Sequence, residues 1–297
     1  MEKSKIPEAI FKKIKRVQIT TSRLVTEVFA GEYKSVFKGQ GLEFEEVREY
    51  QVGDDLRLID WNVTAREGKP YVKRYVEERE LTVMLLLDVS RSNYFGSVNS
   101  LKKDLAAEIC AVLAASAIWN NDRVGLIIFT DRIEKFIPPR KGLRHVMRVI
   151  REVLYNEPEG KNTDIPQCLE YLSKVTNRST ISFIISDFYT QDIRKPLLIA
   201  SKRHDLIAVN ITDPRDYSMP NVGLIGLRDP ENNTSYLVDT SKVKLRKQYD
   251  SLADAKREER KKLFNSLNID SINLSTANSY TGELTQFFTK RKHRRRR

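Results

Sequence analysis

From residue 81 onward the chain alternates between short, mainly apolar runs and longer stretches of helical period. The runs at 81–87, 124–129 and 180–185 have the pattern of strands buried on both faces, and 206–211 and 269–274 read as further strands. Between them, residues 101–119, 143–154, 165–175 and 193–201 read as helices, the first rich in Ala and Leu. Residues 133–137 alternate and read as a further strand, and 222–227 with 235–238 as a strand pair. A long, highly charged helix is expected over 241–266 and a last helix over 282–290. Buried strands alternating with helices predict an α/β fold, with a mainly parallel central sheet covered by helices on both faces. Ligands of such sheets bind beyond the C-terminal strand ends.

The first 80 residues follow a different pattern. Residues 1–30 form an N-terminal segment in which 6–29 read as one or two amphipathic helices. Residues 31–80 are dense in charge and punctuated by Gly31, Gly39, Gly41, Gly53 and Gly68, which predicts a small α+β segment of short strands and ordered loops. Residues 81–289 then form the main domain, and 290–297 a basic tail.

Composition supports a soluble globular chain: 297 residues, 40% hydrophobic and 31% charged, with a mean hydropathy of -0.48. No stretch approaches the roughly 18 to 20 apolar residues of a spanning helix, and the N-terminus lacks the apolar core of a secretory signal. A cytoplasmic location is expected. Cys110 and Cys168 lie in apolar helical segments and read as small buried hydrophobes. The net charge of +12 is uneven: both ends are basic, above all the final KRKHRRRR, and the body between them is nearly neutral.

Polar residues gather where the strand rule places a site. The strand at 81–87 runs into Asp88, Ser90 and Ser92, the strand at 180–185 ends in Ser186 and Asp187, and Thr163 precedes the helix that starts at Ile165. Three loops thus bring hard oxygen donors to one sheet edge. That set suits Mg²⁺ or Mn²⁺, with hydroxyl oxygens from Ser90, Ser92 and Thr163 and charge from Asp88 and Asp187. Helix capping by the same Ser, Thr and Asp residues is the alternative, above all at Thr163 and Asp164.

The span 81–289 resembles a von Willebrand factor A domain with a metal-ion-dependent adhesion site. Asp88, Ser90, Ser92, Thr163 and Asp187 match its five ligand positions, and residues 121–125 (NDRVG) are similar to its approach to the second strand. Where that family often has Gly-Ser-Met, this chain has Arg91, Ser92 and Asn93, which changes the loop's shape and charge. Residues 41–50 (GLEFEEVREY), 53–61 (GDDLRLIDW), Ala65, Arg66 and Lys73 resemble the bacterial and archaeal family called DUF58, as do residues 284–288 (LTQFF) with Arg291. Many of its members carry membrane helices upstream. Members are often encoded beside MoxR-type AAA+ ATPases. The resemblance therefore implies a metal-dependent adaptor or co-chaperone whose partner, that ATPase or its client, presents an Asp or Glu.

Arg48, Arg57, Arg66, Lys73 and Arg74 alternate with Glu43, Glu46, Asp54, Asp55, Asp60 and Glu77. Bidentate Arg–carboxylate pairs would lock these loops onto the main domain, with Trp61 packed beneath them as an anchor. A partner surface is the alternative. Asp60 with Glu67 and Lys69 mimics a nuclease pattern but lacks the strands that one needs. His145, His204 and His293 have no metal spacing, His145 being expected in solvent. Neither a P-loop nor a Gly-x-Ser-x-Gly elbow is present. Two rival functions remain: a metal-dependent hydrolase using Asp88 and Asp187, and a nucleic-acid or anionic-lipid binder acting through the basic ends.

Overall fold

The computed structural model describes residues 43–76, 81–190, 192–228 and 234–294. The helices expected over residues 6–29 lie outside the described residues, as do Gly31, Gly39 and Gly41. The chain divides into a small compact unit, Phe37–Leu81, and a large one that includes Thr82–Arg297.

In the small unit β1 (Glu43–Glu49) pairs antiparallel with β2 (Tyr71–Val76), and α1 (Trp61–Glu67) lies between them in sequence. Asp60 caps α1 by accepting from the N–H groups of Asn62 and Val63, and Gly68 ends it in the left-handed conformation. None of the seven residues of α1 is buried.

The large unit is built on β3 (Thr82–Asp88), β4 (Arg123–Phe129), β5 (Ile133–Arg140), β6 (Ile181–Ser186), β7 (Asp205–Thr212) and β10 (Asp270–Ser275). Their order is β10-β7-β6-β3-β4-β5, and every pairing is parallel except β4 with β5. This is the mainly parallel α/β sheet that the apolar runs predict. The antiparallel β5 is an edge strand, which is why it tolerates Pro138 and Pro139 without losing interior ladder bonds. Gly125 in β4 lies in close packing: a Cβ there would lie 2.6 Å from the Met84 Sδ and 3.1 Å from the Ile137 carbonyl oxygen, so the Met84 side chain would have to shift.

Alternate residues of the strands feed two faces. On one, Met84, Leu86, Ile127, Phe129 and Ile184 form a single core cluster with residues of α4 (Ile165–Val175), α5 (Arg194–Ser201) and the end of α6 (Val243–Ser266). On the other, α2 (Lys102–Trp119) packs against β3, β4 and β7, and against α3 (Leu143–Tyr155). Each fully buried Leu or Ile of these faces contributes roughly 1.5–3 kcal/mol. The expected strand pair is a separate hairpin, β8 (Leu224–Arg228) with β9 (Ser235–Asp239).

The C-terminal end differs from expectation. The last helix, α7, spans Thr281–Arg294, so the basic run that starts at Lys290 begins inside it. α7 packs against β10. Arg291 is buried, and it pairs with Asp205 at the start of β7 and with Asp270 Oδ2 at 3.3 Å. Arg294 also reaches Asp270, at 2.7 Å. Lys and Arg are good helix formers, so nothing in the local sequence ends the helix at residue 289. Residues 295–297 lie outside the described residues.

Candidate metal centre

The core strand β3 delivers Asp88 to the C-terminal edge of the sheet, where its carboxylate is buried. The Ser90 N–H donates to Asp88 Oδ1 at 2.9 Å, and Ser186, the last residue of the adjacent β6, donates its hydroxyl to Oδ2 at 2.6 Å. Thr163 makes a longer contact, its hydroxyl 3.4 Å from the same oxygen. The Ser90 and Ser92 hydroxyls lie 3.1 Å apart, and Asn93 steadies their turn by donating to the Asp88 carbonyl at 3.2 Å. The Thr163 loop is tied to the Ser90 loop by the Arg91 N–H, which donates to the Lys161 carbonyl at 3.1 Å. That loop can pass Thr130 only because residue 160 is glycine: a Cβ there would lie 2.0 Å from the Thr130 hydroxyl.

Asp187 follows Ser186 and is fully buried. Its neighbour Phe188 turns the chain in the left-handed region at φ 56, a conformation that costs a non-glycine residue about 1 kcal/mol or more. Two contacts hold that turn: the Phe188 N–H donates to the Ser186 hydroxyl at 3.0 Å, and the ring packs edge-on against Phe264, centroids 5.2 Å apart. The Asp187 carboxylate accepts from the Tyr189 N–H at 3.3 Å and pairs with Lys102, also at 3.3 Å. Arg260 of α6 donates to the Asp187 carbonyl at 2.7 Å.

Burial, and then the charge of Asp187, push the Asp88 carboxyl above the ordinary range, against the pull of its Ser186 and Ser90 hydrogen bonds. Burial alone would lower the Lys102 ammonium, but the charges of Asp187 and Asp216 and hydrogen bonds to both hold it above its ordinary value. The donor set is all oxygen: two buried carboxylates that repel each other and three neighbouring hydroxyls. It fits a small hard dication. Among the described residues no three His, Cys, Asp or Glu side chains are grouped to hold a metal, so an ion here would depend on Ser90, Ser92 and Thr163.

Capping explains Asp164, beside the donor set, and none of the five residues in it. Asp164 caps α4 by accepting from the Gln167 N–H at 2.8 Å. Thr163 turns its hydroxyl toward Asp88 instead, and the Ser90 side chain makes no capping bond. Sequence reasoning missed Lys102, Asp216 and the role of Ser186. Lys102 had a signal: it opens an Ala-rich helix at the end where the helix dipole disfavours a cation.

A family model described as "Protein of unknown function DUF58" matches residues 46–259. The chain belongs to the DUF58 family. An uncharacterized protein of Mycobacterium tuberculosis, Rv1480, is 28% identical over 284 residues, which cover 94% of this chain and 89% of that protein. Among solved structures, an aerotolerance-related membrane protein from Bacteroides fragilis has a TM-score of 0.48 at 15% identity, covering 71% of this chain and 99% of its own. The SpRpn10 VWA domain has a TM-score of 0.37 at 8% identity, covering 71% and 95%. No helix among the described residues of this DUF58 chain is long and apolar enough to cross a membrane.

The charged DUF58 segment forms separate local pairs. Arg48 and Asp54 make a bidentate pair at 2.9 and 2.7 Å, which holds each carboxyl and guanidinium in its charged form: the Asp54 carboxyl is lowered and the Arg48 guanidinium raised, chiefly by this hydrogen bonding. Asp55 accepts from the Arg57 N–H at 3.0 Å, Asp60 caps α1 and meets Lys73 at 3.4 Å, and Arg66 meets Glu67 at 3.3 Å. The side chains of Glu43, Arg74 and Glu77 lie outside the described residues. Trp61 is not the expected buried anchor. It is 70% exposed, at the start of a helix in which only Val63 and Thr64 are half-buried. The nuclease-like trio is likewise divided, Lys69 pairing with Glu49 at 3.0 Å. His145 is half-buried rather than solvated, with Nε2 2.8 Å from the Val124 carbonyl oxygen. Cys110 and Cys168 are buried free thiols, and burial pushes both up.

Proposed function

We propose that this DUF58 chain is a cytoplasmic protein-binding module of von Willebrand factor A type whose grip depends on Mg²⁺ or Mn²⁺. The observation that carries the reading is the meeting of Asp88, Ser90, Ser92, Thr163 and the Ser186–Asp187 strand end at one sheet edge. Asp88, Asp187 and the three hydroxyls would hold the ion, and the bound ion would offer an electrophilic position that an outside Asp or Glu can complete. Binding is favoured over hydrolysis because both carboxylates would be taken up in holding the ion, and among the described residues no third His, Cys, Asp or Glu is grouped with them to serve as a base. The partner class is a MoxR-type AAA+ ATPase or a client handed to it.

Thermal unfolding tests the metal. An ion that binds only the folded chain stabilises it, by about 2.7 kcal/mol at a hundred times its Kd. Mg²⁺ or Mn²⁺ should raise the melting temperature of the wild type, Asp88→Ala should abolish the rise and Ser90→Ala should reduce it. An equal rise in wild type and Asp88→Ala removes the site from the account.

A further inference from the structure

Lys102 is the least expected side chain in the large unit. It is 2% exposed, it sits in the first turn of α2, and the positive end of that helix dipole adds to the penalty of burying a cation. Its ammonium lies 3.3 Å from Asp187 Oδ2 and 2.8 Å from Asp216 Oδ2. The rings of Tyr189 and Phe95 flank it, with centroids at 5.6 and 5.9 Å. Asp216 is fixed in turn, because its carboxylate accepts from the Asp213 N–H at 2.8 Å. A cation is thus built into the chain on one of the two carboxylates proposed to hold a dication.

We propose that Lys102 is a tethered counter-cation at this sheet edge, shared between Asp187 and Asp216, which sets how tightly a divalent ion binds there. The proposal rests on the metal-site reading. A dication approaching Asp187 meets a carboxylate already half neutralised and is repelled by the ammonium beside it. Asp216 moderates the repulsion by drawing Lys102 away from Asp187. The two residues therefore act in opposite directions: loss of the lysine charge tightens metal binding, and loss of the Asp216 charge weakens it.

Titration calorimetry of Mg²⁺ and Mn²⁺ into the full chain tests this with three proteins: wild type, Lys102→Met and Asp216→Asn. Removing one unit charge within contact distance should lower the Kd of Lys102→Met by about tenfold or more, and Asp216→Asn should raise it severalfold. Tighter binding in Lys102→Met with weaker binding in Asp216→Asn supports the proposal. Metal binding by Lys102→Met alone also supports it, while overturning the metal-site reading for the wild type, since the lysine then stands permanently in the ion's place. Equal affinity in all three overturns the proposal and leaves the metal site standing. Binding by none overturns both. If Lys102→Met does not fold, Asp216→Asn decides, and an unchanged Kd there is a negative result.

Discussion

Asp213 and Asp88 are both buried at the C-terminal ends of parallel strands, yet their carboxylates stand in opposite electrostatic conditions. Asp213 accepts from the Ser97 N–H and hydroxyl, the Thr276 hydroxyl and the Arg215 N–H. Burial pushes its carboxyl up, but those donors outweigh the burial and hold it below the ordinary range. Its charge is thus satisfied, and its role is to tie loops together. Asp88 also has donors, but it shares its burial with the charge of Asp187, and its carboxyl is held up. A buried carboxyl raised by a neighbouring buried charge makes the Asp88 edge, rather than Asp213, the candidate functional site. A third buried group, His204, is a stability sensor. Nδ1 meets the Thr180 hydroxyl at 2.9 Å, and burial, with the charge of Arg203, lowers the imidazole to about 4 from 6.5. The unfolded chain therefore binds more protons than the folded one between those values, and the stability held at neutral pH is lost as pH falls from 6.5 through 4. Urea midpoints at pH 7 and pH 4.5 should differ more in the wild type than in His204→Gln, and an equal drop in both would exclude His204 as the cause.

At the scale of elements, α7 carries a consequence that its sequence hides. Arg291 spans the starts of two parallel strands through Asp205 and Asp270. Arg291→Ala removes that clamp from two partly buried acids and leaves Asp270 its pair with Arg294, which should cost about 2 kcal/mol in urea unfolding. Deleting residues 295–297 should change stability by less than about 0.5 kcal/mol, and equal losses in the two variants would refute the clamp. The strands were legible because a strand buried on both faces needs a mainly apolar run, and β3, β4, β6 and β7 each have one, broken only by residues such as Ser182 and Asn210. Most of the candidate site was legible for a related reason: Asp88, Ser90 and Ser92, and then Ser186 and Asp187, follow two of those runs, whereas Thr163 lies in the loop before α4. Lys102 and Asp216 were not, because their pairing joins a helix start to a loop remote in sequence, and no local period encodes it. The helical character of the basic run was hidden because charge patterning alone does not separate a solvated tail from a docked helix end. The exposure of Trp61 was not legible because large aromatic residues are usually buried, whereas this short capped helix turns Val63 and Thr64 partly inward and leaves Trp61 outside.

For the whole molecule, charge and the candidate metal act on binding at different ranges. The net charge of +12 lies mostly at the basic ends, and it steers an acidic partner over about one Debye length, roughly 8 Å at physiological ionic strength. Salt should therefore slow association. The proposed contact between a bound dication and a partner carboxylate is short and desolvated, so it should resist salt and depend on the metal. Chelator should abolish binding to a MoxR-type ATPase or its client at any salt concentration, whereas high salt should only reduce the association rate. Thr163→Ala should lose binding while keeping a folded circular-dichroism spectrum, because the Thr163 contact to Asp88 is long and its loss leaves the Ser186 and Ser90 bonds in place. Replacing the matching acidic residue on the partner should cost as much as Thr163→Ala. The two changes combined should cost little more than either alone, because both remove one contact. Full binding in excess chelator would refute the mechanism. The exposed Trp61 and the charged pairs around Asp54 and Asp60 would then be the surface to mutate next.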